Sequence, residues 1–180
     1  DVVALVVAAL RGSFEYQGQK CSAASRMYIP KSIWGEFKEK YVAEINKIKM
    51  GDVEDFSNFM GAVIDKGAFK SITDYIKFAK ENSNEAEIIT GGNYDDSNGY
   101  FIEPTTIVTT NPKFKTMQEE IFGPVITVMP FDSEEQVVAE ANSTAFGLSA
   151  TLWTENLTRA HRVAAQLNSG IIWVNCWLFR

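Results

Sequence analysis

Cys21 is the residue that type and surroundings best equip to act as a nucleophile. It sits in the stretch Gly18-Gln19-Lys20-Cys21-Ser22-Ala23-Ala24-Ser25-Arg26. A cysteine attacks as its thiolate, whose free pKa is about 8.5, so positive charge or backbone N–H groups must hold the anion. Lys20 and Arg26 are close in sequence. The small residues at 22–25 leave room for a substrate and let the Cys21 N–H face an oxyanion. The same residues also fit a buried structural thiol, and the local sequence does not choose between the two. A second stretch, Glu119-Glu120-Ile121-Phe122-Gly123-Pro124-Val125, is also unusual. Gly-Pro breaks regular structure directly before an apolar run and holds Glu120 and Phe122 in a fixed loop. A carboxylate there can accept hydrogen bonds from sugar hydroxyls, and an aromatic face can lie against a heterocycle. The plain alternative is a solvated acid and a core Phe.

The elements around these stretches follow from periodicity. Residues 2–17 place Val3, Val6, Val7, Leu10 and Phe14 on one helical face, with Asp1 as a candidate cap. Gly18 permits a tight turn into the cysteine loop. Arg26 to Ile29 reads as a strand stopped by Pro30. Ser32 is a candidate cap for a helix whose buried stripe is Trp34, Phe37, Tyr41, Ile45 and Ile48. A third helix spans about 66–81, with Phe69, Ile72, Ile76 and Ala79 at helical spacing. Strands are expected at 87–90, on both sides of Pro104, at 125–131, at 149–153 and at 171–174, the last one buried. Ser133 caps a helix near 134–142 with Val137, Val138 and Ala141 inward, and a helix at 156–168 turns Leu157, Ala160, Ala164 and Leu167 inward. Alternating strands and helices imply an α/β fold, a mostly parallel twisted sheet with helices on both faces.

Composition narrows the function. A net charge of −6 without a basic run argues against a nucleic-acid surface. No apolar stretch approaches the roughly 20 residues that span a bilayer. One histidine, His161, and two distant cysteines, Cys21 and Cys176, make no zinc site, so no metal is expected. His161 reads as a surface or half-buried helix residue. The two thiols read as free, in a reducing compartment.

Five motifs occur in one order: Gly18-Gln19-Lys20-Cys21, Gly99-Tyr100-Phe101-Ile102-Glu103-Pro104-Thr105, Glu119 through Val125, Asn142-Ser143-Thr144-Ala145-Phe146-Gly147-Leu148, and Gly170-Ile171-Ile172-Trp173-Val174-Asn175. With them the chain resembles the catalytic domain of the NAD(P)-dependent aldehyde dehydrogenase superfamily across nearly all of its length. The resemblance implies that Cys21 attacks the aldehyde and that its N–H supplies half of the oxyanion hole. It implies that Glu120 binds the nicotinamide ribose and Phe122 packs beside the nicotinamide of NAD or NADP. Asn175 matches a recurrent family Asn near the site, and its role here is expected to be structural.

Residues 12–61 look most like 1-pyrroline-5-carboxylate dehydrogenase, which oxidises glutamate semialdehyde, whereas residues 170–180 look more like the muconic semialdehyde dehydrogenases. The chain is either a divergent member or a join of two related sequences between about 105 and 135. Both substrates carry a carboxylate, which Arg180 could clamp bidentately. An Arg pointing to water is the other reading of that position. The family's general-base Glu, second oxyanion donor and dinucleotide-binding domain lie upstream of the cysteine, and further family segments lie downstream. The 180 residues are therefore expected to form a single thiol-bearing catalytic domain truncated at both ends, inactive by itself. The implied partners are a small aldehyde and, in the complete enzyme, further copies of itself, in the cytoplasm or the mitochondrial matrix. The alternative is a non-catalytic structural or binding module that keeps the fold.

Overall fold

The computed structural model describes residues 1–179. The chain divides into two compact units, Asp1–Pro130 and Phe131–Arg180.

The first unit opens with α1 (Val2–Phe14), capped by the Asp1 carboxylate, which accepts from the N–H groups of Val3 and Ala4. Strand β1 (Arg26–Pro30) runs directly into α2 (Lys31–Ile45). Next come α3 (Lys66–Glu81), β2 (Ala86–Thr90), β3 (Tyr94–Asp95), β4 (Phe101–Ile102), β5 (Thr105–Thr109), α4 (Lys115–Gln118) and β6 (Val125–Phe131). One sheet has the order β1-β6-β5-β2. β5 and β6 are parallel, and β2 lies antiparallel at the edge. The sheet is mostly parallel as expected, and β2 departs for a reason of connectivity. Only the short antiparallel β3–β4 ribbon lies between β2 and β5, so no crossover helix carries the chain back for parallel pairing.

β6 is buried on both faces and shows how the layers form. Val125 and Met129 join one core with Phe69, Ile72 and Ile76 of α3 and Met117 of α4. Ile126 and Val128 join the other, with Val6 and Phe14 of α1 and Phe37, Tyr41 and Ile45 of α2. Helices thus cover both faces of the sheet. Each fully buried Ile or Phe contributes about 1.5–3 kcal/mol relative to exposure. Burial pushes the Tyr41 phenol pKa up, and Thr106 Oγ1 donates to its hydroxyl at 3.4 Å.

α3 keeps its expected span and inward residues, with Asp65 as its cap. α1 does not. Its apolar residues run almost all the way round, so periodicity does not single out the buried side. Val3 and Val7 are 55% and 50% exposed. The face that packs is Val6, Ala9, Ser13 and Phe14, where small residues admit close neighbours and Ser13 satisfies its hydroxyl on the Ala9 carbonyl at 2.7 Å. The helix also stops at Phe14 rather than running to residue 17, because Tyr16 and Gln17 are left-handed (φ 52° and 59°). Ser32 is not a cap. β1 passes straight into α2 at Pro30, where no side chain caps the helix.

The second unit contains α5 (Glu134–Ala141), β7 (Ser149–Leu152), α6 (Leu157–Ala164) and β8 (Ile171–Val174). β7 and β8 form a parallel two-stranded sheet. Ser133 caps α5 by accepting from Gln136 N–H, as expected. No α5 residue is fully buried, and Val137, Val138 and Ala141 are only half-buried. Ala160 is the buried residue of α6, whereas Leu157 is 73% exposed because it sits at the first turn, beside its Asn156 cap. β8 is not a buried strand, and Ile171 is half exposed. Glu134 carries a bidentate Arg162 contact at 2.7 and 2.8 Å, which holds its carboxyl below the usual range.

Candidate active site

The cysteine loop begins where α1 ends. Tyr16, Gln17 and Gly18 are all left-handed, which reverses the chain within three residues. Both glutamine side chains then anchor it: Gln17 Nε2 donates to the Ala62 carbonyl at 3.1 Å, and Gln19 Oε1 accepts from Ile64 N–H at 3.0 Å. Ala23 N–H donates to the Lys20 carbonyl at 3.0 Å, so Cys21 and Ser22 occupy the tip of a tight turn. Beyond it, Ala24 N–H bonds the Gly12 carbonyl at 2.9 Å, and the Ser25 carbonyl accepts from Thr127 N–H at 3.1 Å. The loop is therefore pinned to α1, β6 and the 62–64 segment. Cys21 at its tip is exposed, and both cysteines are free thiols. Among the described residues the Cys21 N–H has no hydrogen-bond partner, which leaves it available to an oxyanion.

The two cations near Cys21 in sequence each have a partner. Lys20 Nζ pairs with Glu15 at 3.3 Å and lies 5.1 Å from the centre of the Tyr16 ring. Arg26 Nη1 donates to the Tyr28 hydroxyl at 2.9 Å.

The second stretch is held by β6 and α3. Thr127 Oγ1 bonds Thr116 Oγ1 at 2.7 Å and so ties α4 to β6. Glu119 follows α4 in extended backbone (φ −109°, ψ 152°). Its carboxylate accepts from the Tyr75 hydroxyl at 2.8 Å. Burial and that carboxylate push the Tyr75 phenol pKa up to about 12. Glu120 is exposed, and Ile121 beside it is buried. Phe122 is 45% exposed with φ +56°, a left-handed conformation that costs a bulky residue about 1 kcal/mol or more. The effect is to turn the ring outward between buried Ile121 and buried Gly123. An exposed carboxylate two residues from an exposed ring suits a ligand with both hydroxyls and a flat heterocycle.

The two stretches meet at their glycines. Gly18 has φ +65°, and a Cβ built there would overlap the Gly123 carbonyl oxygen and come within 2.8 Å of the Ser13 carbonyl oxygen. Gly123 in turn lies against the Ile72 side chain, with Cγ1 only 2.7 Å from where its Cβ would be. Backbone-to-backbone contact thus brings the Cys21 loop and the Glu120–Phe122 loop together.

The sequence reading passed over Tyr75, Gln17 and Gln19. Tyr75 carried a signal, since it lies three residues beyond Ile72 on the buried side of α3. The left-handed Phe122 carried none, because aromatic residues rarely adopt that backbone.

In the second unit, Asn175 (φ 54°) clasps the Thr154 backbone by two 2.8 Å bonds, accepting from its N–H and donating to its carbonyl. That is a structural role. Asn142 does likewise, donating to the Gln166 carbonyl and accepting from Asn168 N–H. His161 is exposed on α6. Arg180 lies outside the described residues. Among the described residues no group of three or more His, Cys, Asp and Glu could hold a metal ion, and no helix is long and apolar enough to cross a membrane.

The bovine (Bos taurus) 2-aminomuconic semialdehyde dehydrogenase is 42% identical over 178 residues, covering 95% of this chain and 36% of that protein. The mitochondrial delta-1-pyrroline-5-carboxylate dehydrogenase of Dictyostelium discoideum is 51% identical over 135 residues, 75% of this chain and 24% of that protein. A crystal structure of betaine aldehyde dehydrogenase from Staphylococcus aureus in complex with NAD+ superposes with a TM-score of 0.94 at 34% identity, covering 100% of this chain and 36% of that one. The chain thus matches between about a quarter and little more than a third of the length of these relatives. The sequence profile of the aldehyde dehydrogenase family matches residues 1–180 without a break, and the chain belongs to that family.

Proposed function

We propose that these residues carry the thiol-bearing part of an NAD(P)-dependent aldehyde dehydrogenase. The carrying observation is the Gly18–Gly123 backbone contact, which places an exposed cysteine turn beside a loop that displays a carboxylate and an aromatic ring. Both compact units are assigned to one catalytic domain. The Cys21 sulfur adds to the aldehyde carbonyl, forming a C–S bond and an oxyanion that the Cys21 N–H helps to hold. A bound nicotinamide would supply the two-electron acceptor for the hydride lost from the thiohemiacetal carbon as its oxyanion collapses to the thioester. The resulting thioester on Cys21 is hydrolysed to the carboxylate, and the sulfur leaves as thiolate. Glu120 would accept from the ribose hydroxyls, and Phe122 would offer its ring to the nicotinamide.

The test is alkylation with iodoacetamide near neutral pH. Cys21 is expected to react about tenfold faster than both Cys176 and a small free thiol under the same conditions. The free thiol is the necessary standard, because Cys21 is also the more exposed cysteine. Reaction no faster than the standard would support the non-catalytic module instead.

The substrate is assigned as a carboxylate-bearing semialdehyde such as glutamate semialdehyde, with Arg180 as the carboxylate clamp. The identity to both semialdehyde dehydrogenases supports this class. In the complete enzyme, Arg180→Ala should raise KM for the semialdehyde about tenfold, the size of a lost charge-assisted hydrogen bond, and leave an uncharged aldehyde unaffected. Equal rises for both would remove Arg180 from the substrate site.

A further inference from the structure

We propose that Tyr75 is a positioning residue for the cofactor: by holding Glu119 it sets where Glu120 stands. The proposal rests on the reading of Glu120 as the ribose ligand. α3 grips the Glu119–Val125 segment at two points. Tyr75 donates to Glu119 at 2.8 Å at the start of the segment, and Ile72, one turn earlier on α3, closes on Gly123 further along. Between these points Ile121 is buried, 4% exposed, and anchors the middle.

The chain is extended at Glu119, so successive side chains leave on opposite sides. Drawing Glu119 onto α3 therefore turns Glu120 away from the helix. Glu120 is exposed there and, among the described residues, makes no ion pair or hydrogen bond. It is free to take a ligand, and its placement depends on its neighbour.

Lys115 completes the clamp. Its Nζ lies 3.9 Å from Glu119 Oε2 and 4.9 Å from the centre of the Tyr75 ring. That ion pair links residues four apart and both partners are solvated, so alone it fixes little. The Tyr75 bond joins residues 44 apart in sequence and is the one that sets tertiary position. Tyr75 is half-buried and packs against the core around α3, which makes it a stiff prop.

The experiment is steady-state kinetics of the complete enzyme with Tyr75→Phe, Glu119→Gln and Glu120→Gln. Tyr75→Phe keeps the ring and loses one hydrogen bond. It should raise KM for NAD about fivefold while KM for aldehyde, kcat and the melting temperature stay unchanged. Glu119→Gln retains an acceptor oxygen and should stay near wild type. Glu120→Gln should raise KM for NAD by more than Tyr75→Phe does. If Glu120→Gln raises it and Tyr75→Phe does not, the positioning role is overturned and the ribose reading stands. If Glu120→Gln leaves it unchanged, the ribose reading falls and the proposal with it. If Tyr75→Phe lowers stability and shifts every kinetic parameter together, Tyr75 is merely structural and the proposal is overturned.

Discussion

In the complete enzyme, Cys21→Ser is expected to lower NAD-dependent aldehyde oxidation by about 10^4-fold or more while leaving the fold and NAD binding intact. The argument is chemical. A serine hydroxyl is hardly ionised near neutral pH, so it is a far weaker nucleophile toward a carbonyl than a thiolate. Lys20 pairs with Glu15 and Arg26 with Tyr28, and replacing sulfur by oxygen adds no cation to either contact. An alkoxide is also a poorer leaving group than a thiolate, so hydrolysis of the acyl intermediate would slow as well. Stability should change by no more than about 0.5 kcal/mol, because the Cys21 side chain is exposed at the tip of a turn anchored by backbone and glutamine hydrogen bonds. Initial rates at saturating NAD, with melting curves beside them, decide the matter. A serine variant that keeps a tenth of the rate would mean that Cys21 is not the nucleophile.

What was legible in the sequence was what local physics decides. Asp1 and Ser133 announce helix starts because a short side-chain oxygen reaches N–H groups two or three residues on. α3 was legible because its apolar residues occupy one stripe and its polar residues the rest. α1 was not, because a helix that is apolar nearly all round has no preferred face until Ala9, Gly12 and Ser13 meet a neighbour. The partners of the charges near Cys21 were not legible for a related reason. Sequence proximity says nothing of direction, and Lys20 turns back to Glu15 across its own turn. The motifs pointed to the family and to two unusual stretches. What joins them is a contact between distant glycines, and such contacts leave no local trace.

That contact sets the last expected result. In the complete enzyme, Gly18→Ala should destabilise the protein by roughly 3 kcal/mol, and well below its melting point should lower kcat/KM by about 10²-fold. Left-handed backbone at φ +65° accounts for about 1 kcal/mol once a Cβ is present. The rest comes from overlap with the Gly123 and Ser13 carbonyls. Both neighbours are backbone, so no rotamer change relieves the clash, and the loops must separate. Gly35→Ala is the control. It lies exposed on α2 with nothing near its Cβ position, so it should stabilise by about 0.5–1 kcal/mol through helix propensity. Gly123→Ala separates geometry from general damage, because there the opposing atoms belong to the Ile72 side chain. Trimming Ile72 to Ala alongside Gly123→Ala should restore part of the lost activity despite the weaker core, whereas no side-chain deletion can rescue Gly18→Ala. If Gly18→Ala keeps wild-type kcat/KM, or if it loses activity only in proportion to unfolding, then the two loops do not act as one site, and the cysteine and the carboxylate must be explained separately.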